Sequence, residues 1–236
     1  SRRPLAPSSA GVRWHAGLRS LLILLALPHF LPLRASAETS YPPVVPGYGI
    51  AFPRDEGSHP DHRVEWWYVT GQLDDATSKG KAPRGFQVTF FRVRTGLAAD
   101  NPSNFAPRQV LFAHAAIADP GTGKLHHAQR SARTGFDLAY AREGQLDVKL
   151  DDWSIRQVAP GRYVTAVHGE DFDFELMLAS TQPPLLQGGR GYSRKGPDPR
   201  AASYYYSLPQ LAVSGEAVSY THLRAHETKA NLVCRL

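Results

Sequence analysis

From residue 63 onward, apolar and polar residues alternate in short runs, which is the pattern of half-buried β-strands. Gly and Pro interrupt the runs where tight turns need them, for example at 119–124 and 159–162. No segment of helical period separates the runs, so the sequence predicts an all-β fold of antiparallel strands, in a closed barrel or a sandwich. The predicted strands are 63–73, 86–94, 109–118, 124–130, 136–141, 145–150, 153–158, 162–168 and 172–179.

Three further features refine this pattern. Residues 181–203 are rich in Gly, Pro and Arg and predict a long loop, a kind of segment that is often functional. The consecutive tyrosines at 204–206 alternate across a strand, so we expect at least one hydroxyl to face the interior, in a core or interface role. His114 lies within the apolar strand 109–118, where we expect an interior histidine whose hydrogen bonds are satisfied.

The N-terminal segment, 1–37, has the order of a secretory signal peptide: basic residues up to Arg19, an apolar run at 21–33, and small residues that end at Ala37. We expect cleavage between Ala37 and Glu38 and a protein exported to the bacterial periplasm or secreted. The alternative is an N-terminal membrane anchor, for which the apolar run is short.

Residues 219–236 break the pattern, because they show no strand alternation and contain the only cysteine, Cys234. We interpret them as a tail that is foreign to the domain, with a short amphipathic helix as the alternative. A lone cysteine forms no internal disulfide, so an oxidising compartment is tolerated.

Charge is unevenly distributed along the chain. The net charge is +6, but 1–37 holds five arginines and no acid, and 219–236 carries a net +2, which leaves −1 for 38–218. A nucleic-acid binder draws its affinity from a concentrated basic surface. The near-neutral central domain therefore excludes nucleic acid as a partner.

The densest chemistry lies at 52–71, where four acids and three consecutive aromatic residues occur close together. Along a strand that starts at Arg63, alternation places Glu65 on the same face as Trp67 and Val69. If that face is interior, burial raises the pKa of Glu65 and makes it a proton donor. The alternative is that Glu65 pairs with Arg54, Arg63 or another cation.

The same block contains His59 and His62 beside Asp55 and Asp61, which are suitable metal ligands by type. The two histidines have Pro60 between them, however, and lack the helical spacing of a zinc hydrolase, so we predict salt bridges and no metal site. The sequence also lacks a phosphate-binding loop and a dinucleotide fingerprint, so no nucleotide cofactor is predicted.

Four blocks together resemble the bacterial carotenoid 1,2-hydratases (hydroxyneurosporene synthases) and AttH-like secreted proteins: FPRDEGSHPDHRVEWWYVTGQL, GFQVTFFRVR, VLFAHAAIAD and SYYYSLPQLAVSG. The resemblance covers about 45–217. It implies two lipocalin-like (calycin-type) β-barrels in tandem. On that view 38–206 is the first barrel, 207–218 is the opening strand of a truncated second barrel, and 219–236 replaces what should follow.

The resemblance also implies a reaction, the acid-catalysed addition of water to a C=C bond of a hydrophobic isoprenoid in an apolar cavity, with no cofactor. The candidate acids are Glu65 and Asp61, and the candidate partners are His59 and His62. The candidate substrate-binding residues are Trp66, Trp67, Tyr68, His114, Tyr204 and Tyr206.

Two other functions remain open on the residues alone. A lipocalin-like carrier would bind a hydrophobic ligand in the periplasm without chemistry. A secreted hydrolase is the weaker alternative, because Lys195 stands where a nucleophile elbow requires glycine. In either of the first two cases the partner is a hydrophobic small molecule, which is compatible with peripheral membrane contact, and the sequence sets no oligomeric state.

Overall fold

The computed structural model describes residues 40–74, 82–96, 101–103 and 105–219, together with the backbone of 228–235. Within these ranges a single turn of 3-10 helix, Arg54–Glu56, precedes the strands, and no helix has the length and apolarity to cross a bilayer. The strands are β1 (Val64–Leu73), β2 (Arg84–Arg94), β3 (Gln109–Asp119), β4 (Lys124–Arg133), β5 (Ala139–Ala141), β6 (Asp147–Leu150), β7 (Trp153–Ala159), β8 (Arg162–His168), β9 (Phe172–Ser180), β10 (Leu185–Leu186), β11 (Tyr192–Arg194), β12 (Ala202–Ser219) and β13 (Thr228–Arg235).

These strands form one antiparallel sheet in the order β4-β3-β2-β1-β13-β12-β9-β8-β7-β6-β5, with β10 and β11 paired to β12. The sheet curls until β6 lies near β3 and β4. The all-β prediction is therefore confirmed, in the form of a half-barrel.

The predicted two faces of β1 are also confirmed. Glu65, Trp67 and Val69 are buried on the inner face of the curled sheet, whereas Val64 and Trp66 on the other face are half-buried. Bulky side chains of the described residues form a packed core on this inner face. The largest of them are Trp67, Trp153, Arg92, Tyr163, Phe90, Phe172 and Phe174.

Two sequence expectations about local structure are wrong. The strand expected at 136–141 covers only Ala139–Ala141, because Phe136 and Asp137 have positive φ angles and form a turn. Aromatic character suggested a strand, yet Phe136 is 67% exposed. His114 is exposed, not interior, because it lies on the outer face of β3.

The loop predicted at 181–203 contains two short strands, β10 and β11, that pair with the first half of β12. β12 itself runs without interruption through the expected boundary at 206–207, and its second half pairs with β9. The division into 38–206 and 207–218 stays a prediction.

The structure describes part of the C-terminal segment but none of the predicted leader. The predicted leader, 1–37, lies outside the described residues, so export stays a prediction. Some of the predicted foreign tail is described: the backbone of β13 forms a strand between β1 and β12. That 219–236 is foreign to the domain also stays a prediction.

Candidate functional site

The segment 51–62, which we call the bridging segment, connects the two halves of the curled sheet. The Ser58 amide donates to the Arg142 carbonyl (2.7 Å) after β5, and the Trp67 indole on β1 donates to the Glu56 carbonyl (2.9 Å). Gly57 lies so close to the turn before β6 that a Cβ atom there would meet the Gly144 nitrogen at 2.6 Å. Backbone contacts on both sides therefore fix this segment.

Asp55 is the centre of a charged network on one side of the bridging segment. Its carboxylate accepts hydrogen bonds from the Ala51 amide (2.7 Å), the Tyr48 hydroxyl (2.8 Å) and Arg54. The His59 Nε2 atom lies 3.1 Å away. Burial alone raises the pKa of Asp55, but the hydrogen bonds from Arg54, Ala51 and His59 outweigh it and hold that pKa below its usual range.

Glu65 continues the network inside the sheet. It is fully buried and pairs with the equally buried Arg92 of β2, whose Nε atom lies 2.5 Å from the carboxylate. The Ser58 hydroxyl and the His59 amide also donate to Glu65. Burial raises the pKa of Glu65, but its contacts with His59 and the charge of Arg92 lower it by more.

The expectation that Glu65 has a raised pKa is therefore wrong, because burial is overcompensated. The alternative, pairing with a cation, is confirmed, and the partner is Arg92 instead of Arg54 or Arg63. Arg92 also donates to the carbonyls of His59 and His62, each at 2.9 Å. This single guanidinium thus satisfies both a carboxylate and the backbone of the bridging segment.

The two histidines differ in their surroundings. Burial lowers the pKa of His59, but the contacts with Glu65 and Asp55 raise it by more. Burial lowers the pKa of His62, and the nearby His59 lowers it further.

The fourth candidate of the block, Asp61, has a side chain that is 80% exposed and pairs with Arg94.

The predicted salt bridges of the block are confirmed. Asp55 pairs with Arg54 and His59, and Asp61 pairs with Arg94. In the described ranges, no three His, Cys, Asp or Glu side chains are grouped so that they could hold a metal ion.

Glu56 lies on the opposite side of the bridging segment, in contact with β7 and β8. Its carboxylate accepts from the Tyr163 hydroxyl (2.6 Å) and the Gln157 amide (2.7 Å). Burial raises the pKa of Glu56, and the hydrogen bond from Tyr163 offsets only some of the rise. Burial and Glu56 also raise the pKa of Tyr163, so the phenol keeps its proton.

A cavity of about 220 Å³ borders Glu56. Its wall is largely apolar, and its polar lining residues are Glu56, its two partners and Ser180. The apolar lining residues are Phe52, Pro53, Pro160, Pro184 and Leu208. A carboxylic acid that keeps its proton to higher pH, held at an apolar wall, is suited to proton donation.

The predicted substrate-binding residues lie in three different places. Trp67 is buried beside Glu56, and Tyr206 packs its ring edge-on against Phe52 at 4.8 Å. Tyr204 lies 4.6 Å from the Tyr48 ring, at the charged side of the bridging segment. Trp66, Tyr68 and His114 lie on the outer face of β1 and β3 instead.

Sequence reasoning missed Glu56 and its partner Tyr163. The available signal was a second acid directly after Asp55 in a block already dense in charge. It did not distinguish the two, because the partner of Glu56 lies 107 residues away along the chain.

The curled antiparallel sheet with its packed inner face has a lipocalin-like fold, and it carries a buried acid in the bridging segment. The AttH-like family model matches residues 43–226, and the chain belongs to that family. The comparison with curated proteins gives no match.

Two crystal structures are similar to this chain. One is a provisionally assigned AttH protein from Nitrosomonas europaea, at 49% identity and a TM-score of 0.72, with 82% of this chain and 57% of that one covered. The other is kievitone hydratase from Nectria haematococca, at 14% identity and a TM-score of 0.54, with 84% and 55% covered. The second similarity shows the fold alone. The chain thus spans little more than half the length of either protein.

Proposed function

We propose that this protein is a hydratase that adds water to a C=C bond of a hydrophobic isoprenoid, with Glu56 as the proton donor. The observation that carries the proposal is the buried Glu56 carboxyl, which has a raised pKa and borders an apolar cavity. Kievitone hydratase is by its name a hydratase on the same fold, which makes hydration the reaction class to test first.

The reaction balances with the groups present. The Glu56 carboxyl gives its proton to the less substituted alkene carbon, and a tertiary carbocation forms on the other carbon. A water molecule bonds to that cation, and the proton that it loses returns to the Glu56 carboxylate. The product is a tertiary alcohol, and the acid is regenerated.

The neighbours of Glu56 support each step. Tyr163 and Gln157 fix both carboxyl oxygens, so the proton is presented in one direction. The Phe52 ring borders the cavity and packs against Tyr206, and aromatic faces stabilise a developing cation.

The cavity size narrows the substrate. Pockets for drug-sized ligands are roughly 300–1,000 Å³, whereas this cavity is about 220 Å³. It would hold one end of a long isoprenoid, with the rest outside. An acyclic carotene fits this requirement because its 1,2 double bond lies at the chain end, so carotenoid 1,2-hydration is the specific form of the proposal.

The charged network then has a positioning role. Glu65, His59 and Arg92 are paired with one another and hold the bridging segment, while Asp61 points to solvent. On this view the residues first expected to be catalytic place Glu56 and do not touch the substrate.

The test is hydration of lycopene, solubilised in detergent, by the full chain in water enriched in ¹⁸O. We expect a tertiary alcohol that carries the heavy isotope. We expect Glu56→Gln to lower its rate of formation by roughly 10²–10⁴-fold, the usual contribution of a general acid.

Glu216→Gln is the matched control, because Glu216 is exposed on β12. Equal rates for the wild type and Glu56→Gln would exclude Glu56 as the acid. Lycopene that is bound but recovered unchanged would favour the carrier instead.

A further inference from the structure

The outer face of the sheet across β1–β4 has an unusual composition. Away from the core, β3 presents Phe112, His114, Ala116 and Ala118, and the strand register aligns each with one residue on β1, β2 and β4. None of the sixteen residues in this outer array is Asp, Glu, Lys or Arg. The solvated face of an antiparallel sheet is ordinarily polar, so the outer array has a composition that suits recognition.

One half of the outer array is an aromatic platform. The Phe91 and Phe112 rings stack at 4.6 Å, and Trp66 lies 6.3 Å from Phe91. His114 is 5.7 Å from Phe91 and is exposed. The three larger rings are half-buried, so the platform is accessible to a flat ligand.

The other half is a groove of about 470 Å³ with a floor of small residues. Gly85, Ala116 and Ala118 are among the lining residues, so the floor has little side-chain bulk. Side chains that form hydrogen bonds line the groove, namely Thr70, Gln87, His114, His127 and Gln129.

The chemistry of this lining specifies the ligand class. Amide and imidazole groups each offer a donor and an acceptor, which suits hydroxyl groups. An aromatic platform suits the apolar face of a ring. No Lys or Arg of the array is available to pair with a phosphate or a carboxylate ligand, so an uncharged ligand fits better.

We propose that the outer array binds a neutral ring that carries several hydroxyl groups, either a sugar ring or a hydroxylated aromatic ring. This site is independent of the hydratase proposal, because it lies on the opposite face of β1 from Trp67 and Glu56. The groove volume of about 470 Å³ is within the range of roughly 300–1,000 Å³ for small-molecule sites.

Titration calorimetry with the full chain tests the site with two probes, maltohexaose for sugars and catechin for hydroxylated aromatics. We expect saturable binding of one probe, and the probe that binds identifies the source. Ala118→Arg would place a long cation on the groove floor and should weaken binding at least 10-fold. Ala212→Arg is the matched control, an exposed alanine on the outer side of β12.

A measurement on the unmodified protein keeps the test decisive if Ala118→Arg fails to fold. The binding probe should shift the imidazole NMR signals of His114 and His127 while those of His59 stay unchanged. Three results would overturn the proposal: no saturation by either probe at 10 mM, unaltered binding by Ala118→Arg, or a dimer that Ala118→Arg dissociates.

Discussion

Asp55 and Glu56 are adjacent in the chain and both are buried, yet their environments act in opposite directions. Asp55 has Arg54, His59 and a backbone amide as partners, and its pKa is lowered. Among the described residues, the side-chain partners of Glu56 are a phenol and an amide, and its pKa is raised. Burial penalises the charge of both carboxylates. Their pKa values differ in direction because Asp55 has cationic neighbours and Glu56 does not have them among its partners.

The two sides of the bridging segment therefore differ in the role that they can have. The Asp55 side is charged and structural, and the Glu56 side is suited to holding a transferable proton. Two carboxyl groups whose pKa values are pushed apart are a recurring basis of acid–base chemistry in proteins.

The largest loss of stability should come from Arg92→Met, which removes the buried ion pair with Glu65. Removing one partner of a buried ion pair leaves the other charge uncompensated and costs about 3–5 kcal/mol. Urea denaturation measures the loss in the free energy of unfolding.

Arg94→Met is the control for Arg92→Met, because its partner Asp61 is 80% exposed and such pairs contribute about 0–1 kcal/mol. If both variants lost the same free energy of unfolding, the buried ion pair would contribute no more stability than the exposed one, and the prediction would be wrong.

Gly57→Ala should be next in size, because it pushes the bridging segment away from the turn before β6. The φ of −75° is ordinary for alanine, so the cost is steric, from a Cβ atom 2.6 Å from the Gly144 nitrogen. Overpacking of this kind costs about 1–3 kcal/mol, which thermal denaturation measures. Gly49→Ala has nothing within 4 Å of its Cβ and should be nearly neutral.

His59→Gln tests the link between Asp55 and Glu65. The folded pKa of His59 is raised, so its charge stabilises the fold fully below the unfolded value of about 6.5 and less as the pH rises through the folded value. We expect a loss of about 1–2 kcal/mol at pH 6, from the hydrogen bonds of His59 to two carboxylates, that shrinks toward pH 9. Unfolding free energies measured across that range check it, and a loss that is constant with pH would show that the charge of His59 is not involved.

Glu56→Gln should have the smallest effect on stability, and this effect should change with pH in the direction opposite to that of His59→Gln. The folded pKa of Glu56 is raised from 4.5, so the wild type loses stability as the pH rises from 4.5 through the folded pKa. That loss is about 1.4 kcal/mol for each unit of pKa shift, and glutamine abolishes it. The free-energy difference between variant and wild type should therefore grow between pH 5 and pH 8, and a flat difference would mean that Glu56 is ionised throughout.

The sequence was sufficient to predict most strands and the two faces of β1, because alternation is a local signal. It did not identify the partner of Glu65, although both strands were predicted. Glu65 and Arg92 are directly opposite each other in the β1–β2 register, and register depends on the turn and on packing. Glu56 and Tyr163 meet only because the sheet curls, which no local pattern encodes.

The surface residues show the same limit. His114 was expected inside because its strand is apolar, but the outer face of that strand is uncharged as well. An apolar run predicts that a strand is present. When both faces of the strand lack charge, the run does not show which face is buried.

The hold of Arg92 on the backbone of the bridging segment has a consequence for local unfolding. Because Arg92 is itself fully buried on β2, the carbonyls of His59 and His62 are released only when the β1–β2 pairing opens. The His59 amide should therefore exchange its hydrogen at the slow rate of those strands and not at the rate of a loop. A ligand would then bind in the cavity beside Glu56 while the bridging segment stays in place.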